Sequence, residues 1–377
     1  METTQSITSE SFKETTINLS SIDWFGFDLD HTLIRYQLHN FHILIYRIIS
    51  DYLIENYHYN SVLQTNTESI HDYAVKGLIY DSLYGDIIQL NNSGSVIYSL
   101  HGLNTKIDQD VLKQRYPDNL QSIENSTDKR YWIMLTYFEQ AAAYLIANIV
   151  DLIDKQQLFN SSFNNSLKID DTNKYSFFLS HIYAAFEHNY GGEFDKSDYF
   201  NELRTNIGKY IYKRDDIRNW LIELKLKYGK YLFVITNSKL DYTELLANYA
   251  FGSDWHSLFD LIIVNSKKPT FFDQYNPFYK CGNESEPISD LRELCVIGGI
   301  YTGGNSKDLQ IIFKYITNYG LKQTINDVDL NTRKSDEHEP IIIYFGDNIK
   351  VSIKESLDLL CETNEHIIER RSKTFLS

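Results

Sequence analysis

The sequence predicts an α/β protein: a doubly wound, Rossmann-like parallel sheet with a large α+β domain inserted after the first strand. Three observations carry this expectation. From about residue 213 onward, short apolar runs alternate with segments of helical period, the β-α-β pattern of a parallel sheet covered on both faces. Near the N-terminus a short aromatic run, Trp24-Phe25-Gly26-Phe27, stops at Asp28-Leu29-Asp30-His31-Thr32. Such a run suits a buried parallel strand, and ligands bind just beyond the carboxyl ends of those strands. Between about 45 and 212 the texture differs, with hairpin-like strands beside long helices.

In chain order, residues 1–20 are rich in Ser, Thr and Glu and read as a flexible tail. After the first strand, Phe41–Tyr57 has helical period in Leu44, Ile45, Ile48, Ile49 and Tyr52. Gly77–Asp81 and Ser95–Leu100 read as short strands joined by a turn at Asn91–Gly94. Residues 131–159 read as mainly helical, as do 175–200 with a break at Gly191-Gly192. Asp216–Lys227 is an amphipathic helix with Gly229 as a stop signal. Strands follow at Tyr231–Ile235, Leu261–Val264 and Ile341–Phe345, with helices over Tyr242–Tyr249 and Ser306–Tyr319. Lys322–Pro340 is charged and aperiodic, as an exposed loop would be. The domain boundaries that result are a 1–20 tail, a discontinuous core of 21–44 and 213–377, and an insertion of 45–212.

Composition narrows the function classes. A formal charge of −15 over 377 residues argues against a nucleic-acid partner, which requires Lys and Arg. Cys281, Cys295 and Cys361 show no paired or metal-ligand spacing. No apolar run is long enough for a membrane helix, and the tail lacks the apolar segment of a signal peptide, so a cytoplasmic protein is expected.

The expected strand ends carry complementary chemistry. They are Asp28 and Asp30, then Thr236-Asn237-Ser238, then Asn265-Ser266-Lys267-Lys268-Pro269, then Gly346-Asp347-Asn348. Each has an ordinary explanation as a cap, a turn or a surface lysine. Together, at one sheet edge, two acids, hydroxyls, a cation and a further acid suit phosphate handling with a divalent metal.

These residues resemble the four motifs of the haloacid-dehalogenase-like (HAD) phosphohydrolases. Gly77-Leu-Ile-Tyr-Asp-Ser-Leu-Tyr-Gly-Asp86, Leu100-His-Gly102, Ile235-Thr-Asn-Ser238, Ser266-Lys-Lys-Pro-Thr-Phe-Phe272 and Tyr301-Thr-Gly-Gly-Asn305 are similar to the cytosolic purine 5′-nucleotidase group. The resemblance implies that Asp28 attacks phosphorus and that Asp30 is general acid and base. It also implies that Thr236 and Lys268 hold the phosphoryl oxygens. Asp28, the carbonyl of Asp30 and Asp347 would ligate Mg²⁺. Asn237 and Ser238 would line the substrate site, and the insertion would be a cap in which Phe138 falls at a base-stacking position, although on a helix rich in aromatics the residue itself reads first as a core phenylalanine. The substrate implied is a small phosphomonoester, a nucleotide first and a sugar phosphate second, and a homo-oligomer is allowed. One departure stands out: members of the family it resembles usually carry a second acid five residues after the position of Asp347, where this chain has Ser352. That departure supports the alternative of a weakly active or purely binding descendant.

Overall fold

The computed structural model describes residues 18–346 apart from 65–69, 74, 76, 92, 118–119, 121–128, 160–169, 192–195, 297 and 321–337. The expected tail and charged loop, together with Asp347, Ser352 and Cys361, therefore fall outside the described residues or nearly so. The chain divides into two compact units. One takes the residues up to Arg35 and from Ile211 on, and the other is Tyr36–Tyr210.

The first unit is built on β1 (Trp24–Phe27), β7 (Tyr231–Ile235), β8 (Leu261–Val264), β9 (Phe278–Lys280), β10 (Asn283–Pro287), β11 (Gly299–Gly303) and β12 (Ile342–Phe345). Their order in the sheet is β10-β9-β11-β8-β7-β1-β12. β12, β1, β7, β8 and β11 run parallel, while β9 and β10 form an antiparallel edge. The parallel strands are buried because helices Asp215–Leu226, Leu240–Phe251 and Ser306–Tyr319 alternate with them in the chain. Trp24, Phe233 and Phe313 centre one face of the core, with ring centroids 4.4–6.0 Å apart. Gly26 makes that packing possible. It pairs with Phe233 across β1 and β7, and a Cβ on it would lie 2.1 Å from the Phe233 ring.

The expected strands at 231–235 and 261–264 and the helix at 306–319 are all present. The pattern does not reveal β11, because two of its five residues are glycine and depress any strand signal.

The second unit carries a five-stranded antiparallel sheet in the order β5-β4-β3-β2-β6. Its strands are β2 (Leu78–Asp81), β3 (Asp86–Leu90), β4 (Val96–His101), β5 (Thr105–Lys106) and β6 (Tyr131–Met134). Helix α1 (Leu38–Tyr57) lies against α3 (Tyr137–Asp154), which also touches β2, β3 and β4. α3 is consequently buried almost all round from Gln140 to Val150. Helix α2 (Gln109–Arg115) contributes Leu112 to a separate cluster with Ile79, Ile88, Ile107 and Tyr116.

Three expectations need correction here. The turn at Asn91–Gly94 joins β4 to β3, not to β2, since Asn91 N–H donates to the Ser95 carbonyl and β2 pairs with β3. β3 escaped the pattern because it opens on a fully buried aspartate. Residues 131–134 are a strand and not helix. Thr136 caps α3 in a reciprocal capping box with Glu139, and this separates two apolar stretches that are continuous in sequence. Finally, the chain enters the second unit at Tyr36, before α1, and not near 45. All of α1 packs with that unit, against α3 and helices Leu179–Tyr190 and Asp198–Tyr210.

The family strings at 77–86 and 100–102 build a buried ionic layer in this unit. Asp81 and Asp86 are both fully buried. Asp81 accepts two bonds from the Arg130 guanidinium, at 2.7 Å each, and one from the Tyr116 hydroxyl at 2.8 Å. Asp86 pairs with Arg115 and with His101 Nδ1, the latter at 3.0 Å. The bond to Asp86 raises the His101 pKa above its ordinary value, against the opposing effect of burial. Buried charge persists only when paired in this way.

Candidate active site

The site forms where β1, β7 and β8 end in the first unit. β1 is buried throughout, and Asp28 N–H donates to the Phe345 carbonyl of β12 at 2.8 Å, extending the parallel pairing to the strand's last step. The chain then turns, with Leu33 and Ile34 N–H both reaching the Leu29 carbonyl at 3.0 and 2.9 Å. Leu29 and Leu33 anchor that turn in the core, so the acids at 28 and 30 are left at its rim. His31 takes a left-handed conformation at φ 58° to close it.

The two carboxylates have different surroundings. Asp28 Oδ2 is 2.9 Å from the ammonium of Lys268, whose side chain is only 7% exposed, and Oδ1 accepts the N–H of Leu29 at 2.7 Å. Asp30 Oδ2 accepts the hydroxyl of Ser238 at 2.6 Å. Thr236, buried at the end of β7, accepts the Ser238 N–H on its hydroxyl oxygen at 3.1 Å. The β7 and β8 ends are tied together by Asn265 N–H to the Ser238 carbonyl at 2.9 Å and Ser266 N–H to the Thr236 carbonyl at 3.0 Å.

Asp28, Asp30, Thr236, Asn237, Ser238 and Lys268 are thus one cluster. Asn237 turns its side chain to the backbone of Lys268, with Nδ2 donating to the Lys268 carbonyl at 3.0 Å and Oδ1 accepting the Lys268 N–H at 2.6 Å. Phe138 belongs to the second unit, half-buried at the start of α3. Its ring meets Phe41, Tyr190 and Tyr199 edge-on at 5.1–6.1 Å. Asp347 lies outside the described residues. Among the described residues no group of three or more His, Cys, Asp and Glu is placed to hold a metal. Burial pushes the thiols of Cys281 and Cys295 up to about 11 and about 12, so both stay protonated near neutrality.

Sequence reasoning missed Tyr344. Its hydroxyl accepts from Lys268 Nζ at 2.9 Å and donates to the Ile235 carbonyl at 3.0 Å. In a chain with 29 tyrosines, one more aromatic in an apolar strand carries no signal of its own.

Residues 11–318 match the sequence model of the 5′ nucleotidase family. The chain belongs to that family. It is similar to the 5′-nucleotidase domain-containing protein 1 of Bos taurus, with 31% identity over 355 residues, 89% of this chain and 70% of the bovine protein. The human protein of the same name is also 31% identical, over 351 residues covering 89% of this chain and 69% of its own length. As a member of the family the chain is a hydrolase of the 5′-nucleotidase type. Among the described residues no helix is long and apolar enough to cross a membrane.

Proposed function

We propose that this 5′-nucleotidase family member is a HAD-type, Mg²⁺-dependent phosphomonoester hydrolase acting on nucleoside monophosphates. The observation that carries the reading is the unequal dress of the two carboxylates: a lysine ammonium on Asp28 and a hydroxyl donor on Asp30. Asp28 is the nucleophile. Its carboxylate oxygen forms a bond to phosphorus as the bond from phosphorus to the ribose O5′ breaks, and Asp30 gives that oxygen its proton. In the second half, Asp30 takes a proton from water as the water oxygen attacks phosphorus, and the Asp28 carboxylate leaves with its electron pair. Lys268 faces the phosphoryl oxygens with positive charge. Thr236, already accepting from Ser238 N–H, keeps its own O–H proton to donate.

The donor set fits Mg²⁺. Asp28, the carbonyl of Asp30 and Asp347 would supply oxygen ligands only, which this hard cation prefers. When bound, the ion supplies charge that lets the anionic nucleophile approach an anionic phosphate.

The test is a phosphate-release screen over nucleoside monophosphates, sugar phosphates and an aryl phosphate, with and without Mg²⁺. Release from the nucleotides, dependent on Mg²⁺ and abolished in Asp28→Asn, is the expected result. Metal-independent release, or full activity of Asp28→Asn, overturns the mechanism. A second reading rests on Ser352, which stands where the family resemblance implies an acid: a descendant that binds the ester and turns it over poorly. Saturable nucleotide binding without release from any ester identifies that case.

A further inference from the structure

We infer that Asn237 and Tyr344 form a two-point clamp on Lys268, and that both are positioning residues for its ammonium. The inference rests, for its kinetic arm, on the phosphohydrolase reading. Asn237 was expected to line the substrate site, but its amide is committed elsewhere. Oδ1 accepts the Lys268 N–H at 2.6 Å and the Ser266 hydroxyl at 3.0 Å, and Nδ2 donates to the Lys268 carbonyl at 3.0 Å. A carboxamide offers two lone pairs and two N–H bonds. Three of the four are spent on one loop, and two of those three on the backbone of one lysine.

That loop needs an external tie. Asn265 and Lys267 both sit at positive φ, 48° and 60°. L-residues hold such conformations where surrounding bonds over-determine them. Pro269, which follows Lys268, brings no N–H of its own. Asn237 satisfies both polar groups of the Lys268 backbone at once and so fixes where the side chain starts.

Tyr344 fixes where the side chain ends. Its single hydroxyl proton goes to the Ile235 carbonyl at 3.0 Å, so the oxygen lone pair is what faces the Lys268 ammonium at 2.9 Å. The other end of that ammonium's reach is Asp28 Oδ2, also at 2.9 Å. Both anchors trace to the same strand end, since Ile235 and Asn237 flank Thr236. A free lysine chain samples many rotamers. Fixing it beforehand at both ends leaves the ammonium aimed without an ordering cost during the reaction.

The roles separate kinetically. Loss of a substrate ligand raises KM, whereas loss of a positioning group lowers kcat. Tyr344→Phe and Asn237→Ala are each expected to lower kcat about tenfold with KM within about twofold, the first by removing one hydrogen bond to the ammonium and the second by freeing the backbone from which the side chain starts. The double variant is expected to lose less than the product of the singles, because both act through one lysine. A readout independent of turnover is the ¹⁵N-labelled lysine ammonium spectrum, with the Lys268 signal assigned by its absence in Lys268→Gln. A resolved, slowly exchanging Lys268 signal that merges with the bulk lysines in Tyr344→Phe and Asn237→Ala supports the clamp. An unchanged Lys268 signal in both variants overturns it, as does an Asn237→Ala enzyme with raised KM and unaltered kcat. If the wild type releases no phosphate from any ester, the phosphohydrolase reading falls and the ammonium spectrum alone decides the clamp. Should Tyr344→Phe fail to fold, Asn237→Ala, on an exposed loop, carries the same two measurements.

Discussion

At the scale of single residues, the two acids at the end of β1 are distinguished by neighbours and not by type. Lys268 sits on Asp28 and Ser238 on Asp30, so substitutions at the two positions should fail differently. Asp28→Asn is expected to remove phosphate release and any acid-stable trapped phosphoenzyme. Asp30→Asn is expected to slow turnover by about 10²–10⁴-fold, as loss of a general acid and base does. Rapid-quench assays with radiolabelled substrate separate the two. Ser352 belongs to the same scale. Losing an acid that orients metal ligands or metal-bound water costs about 10–100-fold in affinity or rate. Ser352→Asp is therefore expected to tighten Mg²⁺ binding by about tenfold, read as the Mg²⁺ concentration for half-maximal activity.

At the scale of elements, β1 is placed by what its residues leave room for. Gly26 is the position where β1 accepts the Phe233 ring, itself wedged between Trp24 and Phe313. Gly26→Ala forces that ring out of a closed aromatic stack, an overpacking change of about 1–3 kcal/mol. Denaturant melts are expected to show a lowered midpoint with an unchanged slope. α3 offers the matching case in the second unit. Phe138 meets three aromatic rings there, so Phe138→Ala is expected to lower the melting temperature. KM for a purine monophosphate and for an aryl phosphate should then rise equally. A larger rise for the purine ester would give the ring a base-stacking role as well.

At the scale of the whole molecule, the second unit's stability is linked to pH through its ionic layer. The pKa of His101 is raised in the fold, chiefly by its bond to Asp86. A raised pKa means the folded state holds the proton more tightly than the unfolded chain. The resulting stabilisation is complete below the ordinary histidine value of about 6.5 and is lost as pH rises through the higher folded value. The melting temperature of the wild type should thus exceed that of His101→Gln most at about pH 5. The gap should narrow progressively toward about pH 9. A gap independent of pH would mean that the imidazole acts only by packing.

Periodicity and strand-end chemistry by themselves determined the α/β class, the parallel strands at 231–235 and 261–264, the helix at 306–319 and the clustering of Asp28, Asp30, Thr236 and Lys268. These features are local, because an apolar run marks a buried strand and a parallel sheet sends every such strand's end to one edge. The buried ionic layer hid β3, since Asp86 reads as a loop residue until Arg115 and His101 neutralise it. Thr136 alone divides β6 from α3, a boundary marked by a cap and not by hydropathy. The roles of Asn237 and Tyr344 were likewise decided only in three dimensions. Asn237 stands in a motif where a substrate ligand is expected, and Tyr344 stands in a strand where any aromatic would pack. Which partner each polar group takes depends on strand order, with β12 beside β1 and β1 beside β7. The side chains of Asn237 and Tyr344, far apart in sequence, meet on one lysine, and no local pattern encodes that meeting.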